Sequence, residues 1–288
     1  MEERLKTMIL DLKIRQNERR THDVTKRRIM KRANHLTHQQ VRSFAVLLLA
    51  TVRTAAVAAV FMFGLALLLN TLPFWKSATK YVVHIGIILT IWVCARFLDK
   101  ITLRELGLIP APQKGFAQFL LGGALAMAGT ALLGILMAVT GELSTSHFAA
   151  LRPVPAQMLG TMLFCILVGF AEELLFRGYL IALSRKHGRL YAGVVVSAII
   201  FSAMHFLNPS YNAAAFAAAF LFGLLYAYMV LMSGNLWMPI GHHIFWNFCQ
   251  MSFLPEQGGE LAALIVMGAS FLILHVYFRL SGTGRVAG

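Results

Sequence analysis

From residue 44 onward, apolar residues run on for eighteen or more positions at a time, broken only by short polar or proline-containing links. Runs of that length predict helices that cross a hydrocarbon core of ~30 Å at ~1.5 Å per residue. Eight such segments are expected, with cores at 45–70, 81–98, 116–139, 156–182, 190–207, 212–232, 236–254 and 260–279. Prolines stand at their margins (Pro73, Pro110, Pro112, Pro153, Pro155, Pro209, Pro255), where they start or stop helices. The link at 101–114 mixes Leu103, Leu106, Leu108 and Ile109 with charges and reads as a short interfacial piece. The pattern therefore predicts an all-α, polytopic membrane protein with about eight transmembrane helices.

The first 43 residues break the pattern. They carry no long apolar run but hold 12 of the 26 Lys and Arg, with acidic residues mixed in. Leu5, Ile9 and Leu12 follow helical spacing, so the stretch reads as a basic, helical cytoplasmic extension. It is not a signal peptide: the charged region is too long and no short apolar stretch with a cleavage site follows. Clustered cations before a membrane helix favour an anionic leaflet. Nucleic acid is a poor fit because no aromatic residues interleave to stack bases. The domain organisation expected is the extension at 1–43, a membrane-embedded domain at 44–280 with its chemistry at about 155–252, and a short tail at 281–288.

Charge then gives orientation. With the N-terminus in the cytoplasm, 21 of the 26 Lys and Arg fall on the inner side and three, Lys76, Lys80 and Arg152, on the outer side. This bias predicts cytoplasmic N- and C-termini in a multi-pass plasma-membrane protein. The remaining two, Arg53 and Arg177, lie within helices. A hydrophobic fraction of 58% against 13% charged residues excludes a soluble domain of this length. The three cysteines, Cys94, Cys165 and Cys249, lack metal or redox spacing and read as packing residues.

Candidate chemistry lies where polar residues interrupt the apolar runs. The stretch 169–180 reads G-F-A-E-E-L-L-F-R-G-Y-L. Charges at membrane depth are costly and call for a role. Glu173 and Arg177 stand at i and i+4 and should pair, whereas Glu172 is rotated about 100° away with no local partner. That makes Glu172 the first candidate for a catalytic base. The plainer reading is a Glu-Arg pair that only locks helices together. His205, in F-S-A-M-H-F, and His243 with Asn247, in H-I-F-W-N, shift the balance. His243 and Asn247 share one helical face. Counted from the cytoplasmic helix ends, Glu172 lies ~15 Å deep, His205 ~22 Å, His243 ~11 Å and Asn247 ~17 Å, a single middle layer. His84 and His275, single histidines in apolar helices, read as satisfied by neighbours, and His242 as a packing partner.

This set supports attack of water on a carbonyl. Glu172 with His205 would activate the water, His243 and Asn247 would donate to the oxyanion, and Glu173 with Arg177 would support the site. No Gly-x-Ser-x-Gly or His-Glu-x-x-His stretch is present. Glu172, His205, His243 and Asn247 are also competent metal ligands but lack the spacing of a zinc helix, so no cofactor is expected and a divalent metal is the open alternative. A non-proteolytic binding protein and a transporter with a Glu-His relay remain rival readings; the transporter predicts inverted repeats, and none is found.

Together, E-E-L-L-F-R at 172–177, F-S-A-M-H at 201–205 and H-I-F-W-N at 243–247 resemble the three motifs of the CPBP family, which contains type II CAAX prenyl endopeptidases and related bacterial intramembrane proteases and bacteriocin-immunity proteins. L-R-E-L-G-L at 103–108 is similar to a stretch common before that family's core. The resemblance implies an intramembrane endopeptidase acting on a membrane-associated protein or peptide. By position, Glu172 and His205 would activate water, and His243 and Asn247 would bind the oxyanion. The family also includes immunity proteins, so a membrane-binding role on the same fold is the alternative it carries. The basic extension is not part of the family pattern.

Overall fold

The structure is a computed structural model that describes residues 45–46, 48–54, 56–58, 60–61, 64, 75–109, 112–144, 154–207, 211–255 and 258–282. The basic extension at 1–43 lies outside the described residues, as do 11 of the 26 residues of the first expected span, 45–70; the described ones are helical. From Ala50 onward the chain forms one unit. Among the described residues every regular element is helical. In order they are α1 (Trp75–Val93), α2 (Pro112–Val139), α3 (Pro155–Glu173), α4 (Leu180–Lys186), α5 (Leu190–Met204), α6 (Ala213–Ser233), α7 (Trp237–Phe253) and α8 (Glu260–Ser281). Two π-helical turns, Cys94–Asp99 after α1 and Leu174–Tyr179 between α3 and α4, carry those helices onward. A 3-10 turn, His205–Leu207, ends α5.

Among the described residues, five stretches are long and apolar enough to cross a membrane: Tyr81–Asp99, Lys114–Val139, Pro155–Lys186, Ala213–Ser233 and Glu260–Ser281. They coincide with five of the expected spans. Helices also form at 190–204 and 237–253 but are shorter, 15 and 17 residues, or ~22 and ~25 Å. The reason differs for each. The α5 helix gives way at His205, where the chain tightens into the 3-10 turn. The α7 helix carries His242, His243, Asn247 and Gln250 and is an interior helix, with Met238 through Ile244 and Trp246 all buried. Within the expected interfacial piece, residues 101–109 form a turn. Glu105 accepts from the Thr102 backbone N–H and hydroxyl, both at 2.7 Å, and this lowers its carboxyl below the usual range.

Large apolar side chains point outward throughout, among them Leu120, Ile135, Leu163, Ile199, Ile265 and Leu272. A soluble protein would not expose so many, whereas lipid solvates them at no cost. Small residues set the interior. Where α2 crosses α7, a Cβ on Gly122 would stand 2.0 Å from the Met238 carbonyl oxygen, and one on Gly241 would stand 2.2 Å from that of Phe119. Where α3 meets α7, a Cβ on Gly169 would stand 2.8 Å from Ile244 Cγ1 and 3.2 Å from its backbone nitrogen. Without an aqueous hydrophobic drive, helices in lipid associate through such close approaches. The two crossings fix α7 between α2 and α3, and the second lies one turn before Glu172.

Candidate active site

Glu173, at the end of α3, is fully buried and accepts from two partners through one oxygen. Arg177 Nη1 lies 3.0 Å from Oε1 and His243 Nδ1 lies 2.8 Å from the same atom. The i, i+4 pair expected from sequence is therefore formed, and it extends to α7. The Arg177 guanidinium packs against the rings of Phe201, Tyr226 and Phe176, with its carbon 4.3, 5.1 and 5.5 Å from their centroids. These rings replace the hydrogen bonds that its Nε and Nη2 do not make. A buried cation with a carboxylate on one side and aromatic faces on the others is held firmly.

Glu172 points elsewhere, with a side chain one-fifth exposed. The sequence offers it no local partner, and its neighbours come from other helices. His84 Nε2 stands 3.8 Å from Oε1, and His243 Nε2 stands 3.8 Å from Oε2. Neither is at hydrogen-bonding distance. Because His243 presents Nδ1 to Glu173, its other nitrogen must face Glu172 and the space beside it. His243 also stacks on Tyr226, with centroids 5.3 Å apart.

His205 begins the 3-10 turn after α5 and is exposed. Its Nδ1 lies 2.8 Å from the Phe201 carbonyl oxygen. A carbonyl only accepts, so Nδ1 carries the proton and the neutral ring offers a lone pair at Nε2. Tyr211 stacks on the His205 ring at 5.7 Å and is itself held by a 2.9 Å hydroxyl contact with Ser202. His242, one residue before His243, is buried. It stacks on Trp246 and meets the Tyr226 hydroxyl through Nδ1 at 3.2 Å, which is the packing role expected of it.

Glu172, His205, His243 and Asn247 all line one cavity of about 310 Å³, walled further by Phe201, Tyr226 and Trp246. The cavity is large enough for a short peptide segment, and these four polar groups come from α3, the turn after α5, and α7. Glu173 and Arg177 lie behind it. Among the described residues, no three His, Cys, Asp or Glu side chains stand together at metal-ligand spacing.

Residues 154–249 match the family described as type II CAAX prenyl endopeptidase Rce1-like. This is the family the three motifs resemble, and all three fall inside the match, which covers about a third of the 288 residues. The Rce1-like segment begins at the start of α3 and ends within α7, so it contains Glu172, Glu173, Arg177, His205, His243 and Asn247. With five membrane-length apolar helices among the described residues, the chain is a multi-pass membrane protein, a third of which is similar to the Rce1-like endopeptidase family. No curated protein matches the chain.

His84 stands beside Glu172, which local spacing does not reveal. It lies in α1, outside the Rce1-like segment, and was read as a histidine satisfied by its neighbours. The depth count applied to the other groups would have flagged it, since it sits ~21 Å from the cytoplasmic end of its segment, level with His205. His84 and His275, both read as satisfied by neighbours, do meet them: His84 packs edge-on against Phe164 beside Glu172, and His275 meets the Tyr228 hydroxyl at 3.3 Å.

Proposed function

We propose that this chain is an intramembrane endopeptidase that hydrolyses a peptide bond of a membrane-associated substrate with water activated by Glu172. The observation that carries the reading is the shared cavity. Glu172, His205, His243 and Asn247 line about 310 Å³ of space inside an apolar helical bundle, within the segment that matches a protease family. Glu172 takes a proton from water as the water oxygen attacks the carbonyl carbon, and His205 Nε2 accepts a hydrogen bond that orients the water. His243 and Asn247 donate to the oxyanion that forms. Collapse of the intermediate breaks the C–N bond, and the proton held by Glu172 passes to the leaving amine.

The His243 geometry refines this mechanism. With Nδ1–H given to Glu173, the ring donates from Nε2 only as an imidazolium. That form brings the summed charge of Glu172, Glu173, Arg177 and His243 to zero, which suits a buried cluster. The remainder of the reading rests on sequence: about eight spans, both termini cytoplasmic, a plasma-membrane location, a protease domain at 44–280 and an extension at 1–43 that meets anionic lipid.

The test is cleavage of membrane-associated peptides, prenylated and unprenylated, by purified protein in water enriched in oxygen-18. One heavy oxygen in the new carboxyl terminus, with activity retained under chelation, supports the glutamate route. Activity abolished by chelation and restored by a divalent ion would move the same residues to a metal site. A binding protein would retain the peptides uncut.

A further inference from the structure

The Rce1-like segment supplies only one of the two histidines that flank Glu172. We propose that the other, His84 on α1, is a positioning residue that holds the Oε1 side of Glu172 so that Oε2 faces the cavity. The inference rests on the protease reading above.

Four observations lead to it. His84 Nε2 and His243 Nε2 stand at 3.8 Å from different oxygens of one carboxylate, so Glu172 is bracketed. His84 is not among the residues that line the cavity, so it meets Glu172 from outside that lining. Its ring is fixed: Phe164 of α3 meets it edge-on, with centroids 5.7 Å apart and planes at 88°, and Tyr81 meets the same Phe164 at 5.6 Å and 79°. Finally, α1 packs directly on α3, so the contact is built into the bundle.

The chemistry follows from the carboxylate. A carboxylate whose two oxygens are equivalent can turn about its last bond and present either one, or neither, to a water. A ring N–H beside Oε1 removes that freedom and leaves Oε2 toward the water. A 3.8 Å separation is longer than a direct hydrogen bond, and such contacts in an unliganded site shorten when substrate closes it. A small misplacement of a catalytic base costs on the order of 100-fold in rate, which sets the scale of the effect.

Two variants separate positioning from packing. His84→Phe keeps the ring against Phe164 and removes the nitrogens; His84→Gln keeps an N–H donor and removes the ring. Peptide cleavage kinetics in detergent and thermal unfolding are measured for both. The expected result is a fall in kcat on the order of 10- to 100-fold for His84→Phe with KM within about twofold, an unchanged Tm, and recovery of most of kcat in His84→Gln. His84→Phe with wild-type kcat would overturn the inference. So would equal losses of kcat in both variants that follow a lowered Tm, since that is the signature of packing. A wild-type protein that cuts no peptide refutes the protease reading and the inference with it, whereas active wild type with active His84→Phe refutes the inference alone.

Discussion

Among the described residues, two of the polar clusters that interrupt the apolar bundle are built differently. One joins Arg53, Asp99, Tyr179 and Thr54. Arg53 donates to Asp99 Oδ2 at 2.6 Å, the Tyr179 hydroxyl donates to the same oxygen at 2.5 Å, and Thr54 meets that hydroxyl at 2.9 Å. Lys186 adds a hydrogen bond to the Asp99 carbonyl oxygen. No member of this set lines the cavity that holds Glu172. The other cluster is itself divided. Glu173 and Arg177 are buried and paired, but Glu172, His205 and Asn247 border open space, and the contacts of Glu172 stand at 3.8 Å. Polar groups that satisfy one another at short range hold helices in register. Polar groups that stop short of one another beside a cavity are available to a reactant.

Substitutions can break this distinction or sharpen it. The largest stability effect should come from Glu173→Gln, which leaves the Arg177 cation buried without its counter-charge and loosens His243. A loss of about 3–5 kcal/mol is expected, together with loss of turnover, read by denaturant or thermal unfolding in detergent alongside kinetics. Next is Gly169→Ala. Its new methyl would press on Ile244 and push α3 from α7 at the level of the site, costing about 1–3 kcal/mol and lowering kcat in the molecules that remain folded. Asp99→Asn should cost about 1–2 kcal/mol, less than a fully buried pair because the Arg53 side chain is 38% exposed. Its kcat per folded molecule should match wild type. Tyr179→Phe is the mildest, about 0.5–1.5 kcal/mol with no kinetic effect. A kinetic defect in Asp99→Asn or Tyr179→Phe at unchanged stability would erase the distinction between the clusters.

The same contrast explains what the sequence revealed. Glu172, Glu173 and Arg177 are neighbours in the chain, and His243 and Asn247 share a helical face, so local spacing was enough to single them out. The cavity that gathers them with His205 could be approached only through depth along separate helices. Contacts made across long sequence separations left no such trace. His84 reaches Glu172 over 88 positions, and Asp99 reaches Tyr179 over 80. Nothing beside either residue predicts its partner. The glycine crossings were equally silent, because Gly122, Gly169 and Gly241 acquire meaning only when a second helix lies 2.0–2.8 Å from the missing side chain. Helix length was legible where the exterior is lipid-facing, as in α2, α6 and α8. It was equally legible for α7, expected at 236–254 and found at Trp237–Phe253; what the pattern did not show is that α7 is an interior helix.

The most direct test of the account is the turnover of Glu172→Gln against wild type on one cleavable membrane peptide, with Tm measured in parallel. The account predicts a fall in kcat on the order of 10²- to 10⁴-fold with Tm unchanged, because Glu172 faces a cavity and has no short-range partner to lose. Wild-type turnover in that variant would contradict it, and the base would have to be sought elsewhere.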